Sequence, residues 1–163
     1  MSSSYGGETW SFPRVVMDGP IDDRDAGVLE TAKGSILITN FTSLAYEPYM
    51  NGKGRSWQRA HQRVDSEERR SALGNWMIRS VDGGLTFSGR YRVPVNSPHG
   101  PVQLRDGRLL YAGKALWTEE EKVGVCESSD DGLSWQWLAD IPSRKGDDHR
   151  DYHELHAVEA GDR

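Results

Sequence analysis

Arg24, Asp25, His99, His153 and Glu154 are a guanidinium, two carboxylates and two imidazoles spread along a chain of 163 residues. A guanidinium forks onto a carboxylate in two parallel hydrogen bonds. Carboxylates and imidazoles take and give protons when geometry brings them to a reacting atom. Two further carboxylates, Asp65 and the fallback Glu47, stand in the polar stretch Ser43 to Gly74. The acidic and histidine-rich run "DDHRDYHELH" has the letters of a metal site. It is not HExxH, because the second histidine comes one residue early, and in a strand His153 and His156 would face opposite sides. We therefore expect no metal and no organic cofactor. Whether the other groups can work together depends on which elements carry them.

Two phrases give the first clue to those elements. "SVDGGLTF" runs from Ser80 to Phe87 and "SSDDGLSW" from Ser128 to Trp135, 48 residues apart. Both read Ser-x-Asp-x-Gly-x-(Thr or Ser)-aromatic, and the interval is that of a structural repeat. Asp82 and Asp130 can accept bonds from turn amides, Gly84 and Gly132 can take a positive φ, and Phe87 and Trp135 can fold back between strands. Ser80 and Ser128 open the two phrases. The phrase is read as a structural staple; each copy has too few carboxylates for a calcium loop.

Around these turns the chain reads as short strands. "GPVQL", "RLLYAGKALW", "VGVCESS" and "SWQWLADIP" form a four-stranded meander between Gly100 and Pro142. "AGVLET", "SILITNFT", "NWMIRS" and "LTFSGRYRVPV" repeat the plan, interrupted by Ser43 to Gly74, in which a short helix is expected around Val64 to Leu73. "HELHAVEAGDR" would open a third copy, from His153 to Arg163. Consecutive four-stranded meanders predict an all-β propeller, here about two blades and the first strand of a third. Blade one spans about 24–95 and blade two about 100–142. In such blades the start of the first strand, the second-to-third connection and the start of the next blade share a face. That face collects Arg24, Asp25, the Ser43–Gly74 loop, His99, "TEEEK" and His153–Glu154, and the repeated turns lie opposite. Loops on a rigid scaffold are where function is expected.

The totals exclude several classes. A formal charge of −5 gives no reason to expect nucleic acid or an anionic membrane. The stretch from Asn51 to Arg70 holds six Lys or Arg against three acids. Lacking interleaved aromatics, it reads as a solvated or anionic-sugar-facing loop. No apolar run is long enough for a membrane span, and "MSSSYGGETW" has no apolar core of a signal peptide, so the chain reads as soluble, of undecided compartment. Cys126, the single cysteine, reads as a packed strand thiol.

The repeated phrase resembles the Asp-box, or bacterial neuraminidase repeat, of exo-sialidases and related propellers. The resemblance extends over the meanders from about Arg24 to Arg163. Sialidases are six-bladed, so the resemblance implies that this chain supplies about a third of one. It also implies roles. Arg24, ten residues before Gly34, keeps the spacing of the strand-start arginine that binds the substrate carboxylate, though Asp23 and Asp25-Ala26 replace the family's Phe/Tyr-Arg-Ile-Pro letters. Glu154 matches the glutamate that activates a tyrosine nucleophile, with His153 for the usual Asn and Leu155 for Pro. The acid/base aspartate would be Asp65, fifteen residues before Ser80, although the family places it nearer the Asp-box.

The resemblance thus implies a retaining glycosidase releasing terminal sialic acids, with Asp25, His99 and His153 also lining the substrate. The partner would be a sialylated glycan or another anionic sugar. The other arginines and the tyrosine are expected beyond Arg163, so this portion alone should not turn over. The alternatives are a non-hydrolytic glycan-binding or receptor-like propeller, and self-association of about three copies through open blade edges. On the residues alone, Arg24 could instead pair with Asp22, Asp23 and Asp25, and Glu154 could be a hydrogen-bonded strand-end carboxylate.

Overall fold

The structure is a computed structural model that describes residues 1–52 and 54–161. It consists of two four-stranded antiparallel sheets, each in simple sequential order. The first contains β1 (Asp22–Glu30), β2 (Ile36–Ser43), β3 (Asn75–Ser80) and β4 (Tyr91–Arg92). The second contains β5 (Val102–Gln103), β6 (Leu109–Lys114), β7 (Val123–Ser128) and β8 (Gln136–Asp140). Each sheet opens with the same tight turn. Gly34, at φ 76°, donates its N–H to Thr31 O, and Gly107, at φ 90°, donates to Leu104 O.

Alternation along β2, β3, β6 and β7 sends one apolar set into the space between the sheets. Leu37, Met77, Val93 and Val95 of the first sheet and its exit meet Leu109, Tyr111, Ala115 and Cys126 of the second. Burial pushes the Cys126 thiol up to about 12, so it is an inert packed group. Closest approach falls at Gly27 and Gly100: a Cβ on Gly27 would come within 2.4 Å of the Gly100 nitrogen. Only paired glycines let β1 lie against the chain entering the second sheet.

The two repeated turns close the third-to-fourth connections. In each, the serine hydroxyl donates to the aspartate (Ser80 to Asp82, 2.7 Å; Ser128 to Asp130, 2.8 Å). Each serine oxygen also accepts the glycine amide, Gly84 or Gly132, at 2.9 Å. The same aspartates accept the amides of Thr86 and Ser134, at 2.9 Å in both turns. These bonds, led by the Thr86 hydroxyl, hold Asp82 down at about 2. Phe87 lines a bottom-face groove with Tyr91, and Trp135 packs edge-on against Tyr111.

Two expectations change. The long connection of the first sheet holds a 3₁₀ turn (Glu47–Gly52) and two short helices, α1 (Arg55–Gln62) and α2 (Ser66–Ser71); only the second was expected. Lys53 of the basic stretch lies outside the described residues. Residues 153–161 do not form the expected strand: among the described residues no ladder pairing joins them to either sheet, and the segment is held instead by the Ser97 hydroxyl on Leu155 O. The last two residues of that expected strand lie outside the described ones. No helix among the described residues is long and apolar enough to cross a membrane.

Candidate functional site

The register of β1 breaks where the site begins. Pairing with β2 is regular up to Arg24↔Phe41 and resumes at Gly27↔Thr39, so Asp25 and Ala26 form a bulge. Asp25 sits in the left-handed region at φ 46°. Such bulges re-aim side chains and are common beside functional sites. Asp25 is thereby turned into a hollow of about 300 Å³ that it shares with Phe41, Lys114, Trp117, His153 and Glu154.

Two other residues of this wall are also strained. Trp117 lies at φ 66° and Glu154 at φ 52°. Left-handed backbone is costly for residues with a Cβ and persists only where surroundings enforce it. Three of the five such non-glycine residues among those described meet at this one hollow.

The enforcing contacts are on view. β6 ends in Lys114, whose side chain is only 8% exposed, and its ammonium donates to Arg150 O (2.7 Å) and pairs with Glu121 (3.1 Å). The Ala115–Lys122 connection is pinned by Thr118, whose hydroxyl donates to Ala115 O and accepts the Glu121 amide. His149 reaches Glu120 O at 2.9 Å, and Arg150 is held by Asp148 at 2.6 Å. Further on, the Ser97 hydroxyl donates to Leu155 O. Glu154 is thus carried by a segment fastened on both sides, without belonging to a strand.

Arg24 stands beside this hollow. Its guanidinium lies 5.8 Å above the Phe41 ring and 3.8 Å from Asp22. Arg24 is not itself a lining residue of the hollow, but its neighbour Asp25 and the Phe41 ring beneath it are. His99 is drawn away from the hollow's lining: its ring sits 5.1 Å from that of His156. His153 and His156 do part company, His153 to the hollow and His156 to His99, though by a bend and not by strand alternation.

Asp65 lies elsewhere. It caps α2, one oxygen accepting the amides of Glu67 (2.9 Å) and Glu68 (2.8 Å). The Glu68 amide bond leads in holding its pKa below the ordinary carboxylate value, the reverse of what a proton donor needs. Glu47 is engaged by Arg69 at 3.1 Å. Among the described residues no three His, Cys, Asp or Glu side chains gather as a metal site; Asp148, His149 and His156 each face a different partner.

Lys114, Trp117 and Phe41 were not anticipated. Lys114 had a visible signal: a lone charge closing the apolar run "LLYAGK" at the end of a buried strand. Trp117 read as the last residue of a strand, next to the "TEEEK" turn assigned to the functional face. Phe41 read as an ordinary strand residue.

No protein-family model matches the chain, and no curated protein matches it. Solved structures do. A protein of unknown function from Dyadobacter fermentans matches over 85% of this chain at 18% identity and a TM-score of 0.59. A Hadza microbial sialidase matches over 86% at 21% identity and a TM-score of 0.56. The chain spans 42% of the first and 30% of the second. At these identities the likeness is one of fold.

Proposed function

We propose that this chain is part of a sialidase-like propeller glycoside hydrolase and that its hollow receives a terminal acidic sugar. The observation that carries the reading is the convergence of Asp25, His153 and Glu154 with Lys114, Trp117 and Phe41 around one small strained cavity. Arg24, already over Phe41, forks onto the sugar carboxylate, and Lys114, paired with Glu121, holds the wall in place. Trp117 and Phe41 offer apolar surface to the ring.

In a sialidase-like site with a tyrosine nucleophile, two carboxyl groups serve proton transfer, one at the nucleophile and one at the leaving oxygen. Glu154 takes the proton of the attacking group as that group bonds to the anomeric carbon. A second carboxyl protonates the glycosidic oxygen as the carbon–oxygen bond breaks. Asp65 is committed to its helix cap, so we assign the proton donor to Asp25, which lines the same hollow as Glu154. The capped state of Asp65 also favours a second reading, in which the hollow binds glycans without cleaving them.

Calorimetric titration with N-acetylneuraminic acid separates these readings from error. Binding is expected, with Arg24→Ala weakening it about tenfold, as loss of a charge-assisted bond does. Equal binding of neutral N-acetylglucosamine, or no binding of either sugar, would overturn the assignment. The chain alone is expected to bind a sialoside without turnover; in any longer chain containing it, hydrolysis abolished by Glu154→Gln decides for the enzyme over the binding module.

A further inference from the structure

Each sheet carries a tryptophan at its third-to-fourth strand pairing, contributed from a different strand. Four residues before the serine of each repeated turn stand Trp76 and Gly124; nine residues after it stand Gly89 and Trp137. In the first sheet the ring therefore comes from the third strand, and in the second from the fourth. A Cβ on Gly124 would come within 2.2 Å of the Trp137 ring, so that ring lies directly over the glycine. Its indole N–H donates to Asp140 at 2.8 Å, fixing the plane.

The two rings differ in what covers them. Trp76 is covered by the guanidiniums of Arg90 and Arg92, at 4.3 and 4.4 Å from its centre, and is 8% exposed. That is the structural use of a tryptophan here. Among the described residues Trp137 has no such lid, and it is 37% exposed. It looks into a hollow of about 540 Å³ floored by Pro94 and Ala115 and rimmed by Thr118, Glu119 and Glu120.

The geometry points to a second sugar subsite, in which the open face of Trp137 stacks against the apolar face of a neutral sugar ring. Thr118, Glu119 and Glu120 supply hydroxyl-binding oxygens, and the two carboxylates exclude an anionic ring. Lys122 pairs with Glu120 at 2.8 Å and steadies the rim. The Ala115–Lys122 connection is the wall between the two hollows: Leu116 and Trp117 face the first, Thr118 to Glu120 the second. A glycan with an acidic end and a neutral neighbouring unit could place one in each. This last step rests on the function proposed above; the platform itself does not.

The test uses the whole chain and three probes: N-acetylneuraminic acid, lactose and sialyllactose. The indole N–H resonance of Trp137 is assigned by its disappearance in Trp137→Phe. Lactose should move that resonance saturably and leave that of Trp76 in place. Sialyllactose should bind about five- to tenfold tighter than N-acetylneuraminic acid, the worth of one aromatic contact. Trp137→Ala should erase that advantage without weakening N-acetylneuraminic acid, and Trp137→Phe, which keeps a ring over Gly124, should retain part of it. A Trp137 resonance unmoved by lactose, or equal weakening of both acidic probes by Trp137→Ala, overturns the subsite. Binding of lactose at Trp137 with no binding of N-acetylneuraminic acid upholds the platform and sinks the acidic-sugar reading instead.

Discussion

The first and second repeated turns are built from the same bonds and placed in different company. Inside each, serine, aspartate and glycine close the loop with nearly equal distances. The difference is the residue after the motif aspartate. Gly83 and Asp131 both sit in the left-handed region, at φ 69° and 64°. A Cβ on Gly83 would meet nothing within 4 Å. Asp131 is buried, accepts a 2.6 Å bond from Ser35, and pairs with Arg79, both from the first sheet. Tyr91 adds a bond to Gly132 O at 2.8 Å, and Leu37 packs beneath Gly132. The motif makes a local turn; a residue outside the motif letters fastens one sheet to the next.

The largest expected effect separates the sealed and open tryptophans. Trp76→Ala should cost about 3–5 kcal/mol in denaturant unfolding, the range for deleting a large buried ring. Trp137→Ala should cost less than half as much, because its ring is already partly in water. Equal losses would mean that Trp137 is a core residue like Trp76.

Asp131→Ala comes next. It leaves the Arg79 guanidinium, 18% exposed, without its carboxylate, at about 3 kcal/mol. The reciprocal change, Gly83→Asp, belongs at the bottom of the scale: exposed and in a conformation aspartate tolerates, it should shift stability by no more than about 0.5 kcal/mol. A large loss there would show that the first turn is also buried against something.

Between them lies a pH effect. The Asp82 pKa is depressed to about 2 in the folded chain. Its contribution to stability is therefore complete above the ordinary carboxylate value and is lost as pH falls from about 4 towards about 2. Acid unfolding followed by circular dichroism should become shallower over that window in Asp82→Asn. An unchanged acid slope would mean that the turn bonds do not distinguish folded from unfolded chain.

The sheets and turns were legible because their causes are local. "AKG" and "RDG" name tight turns, and alternation in "SILITN" and "LLYAGK" names the faces. The Asp-x-Gly phrases name the closing loops. The candidate site was legible only in part. Asp25, His153 and Glu154 followed from the topology of a meander, which fixes which connections share a face. Asp65 stands apart from the hollow, and nothing in its spacing showed that "DSEE" is a helix cap; its partners are two amides within the next turn. The expected strand from His153 failed because a ladder needs two strands, and alternation in one segment does not reveal whether its partner is there. Lys114 entered through a contact with Arg150, 36 residues on, which no local pattern encodes.

The measurement that tests the central claim most directly is a titration of the whole chain with N-acetylneuraminic acid. It would follow the indole N–H of Trp117, assigned through Trp117→Phe. Saturable movement of the Trp117 resonance, with that of the exposed Trp10, which does not line the hollow, left in place, is the predicted result. A Trp117 resonance that stays still, or that moves equally with neutral N-acetylglucosamine, would contradict an acidic-sugar site between Asp25 and Glu154.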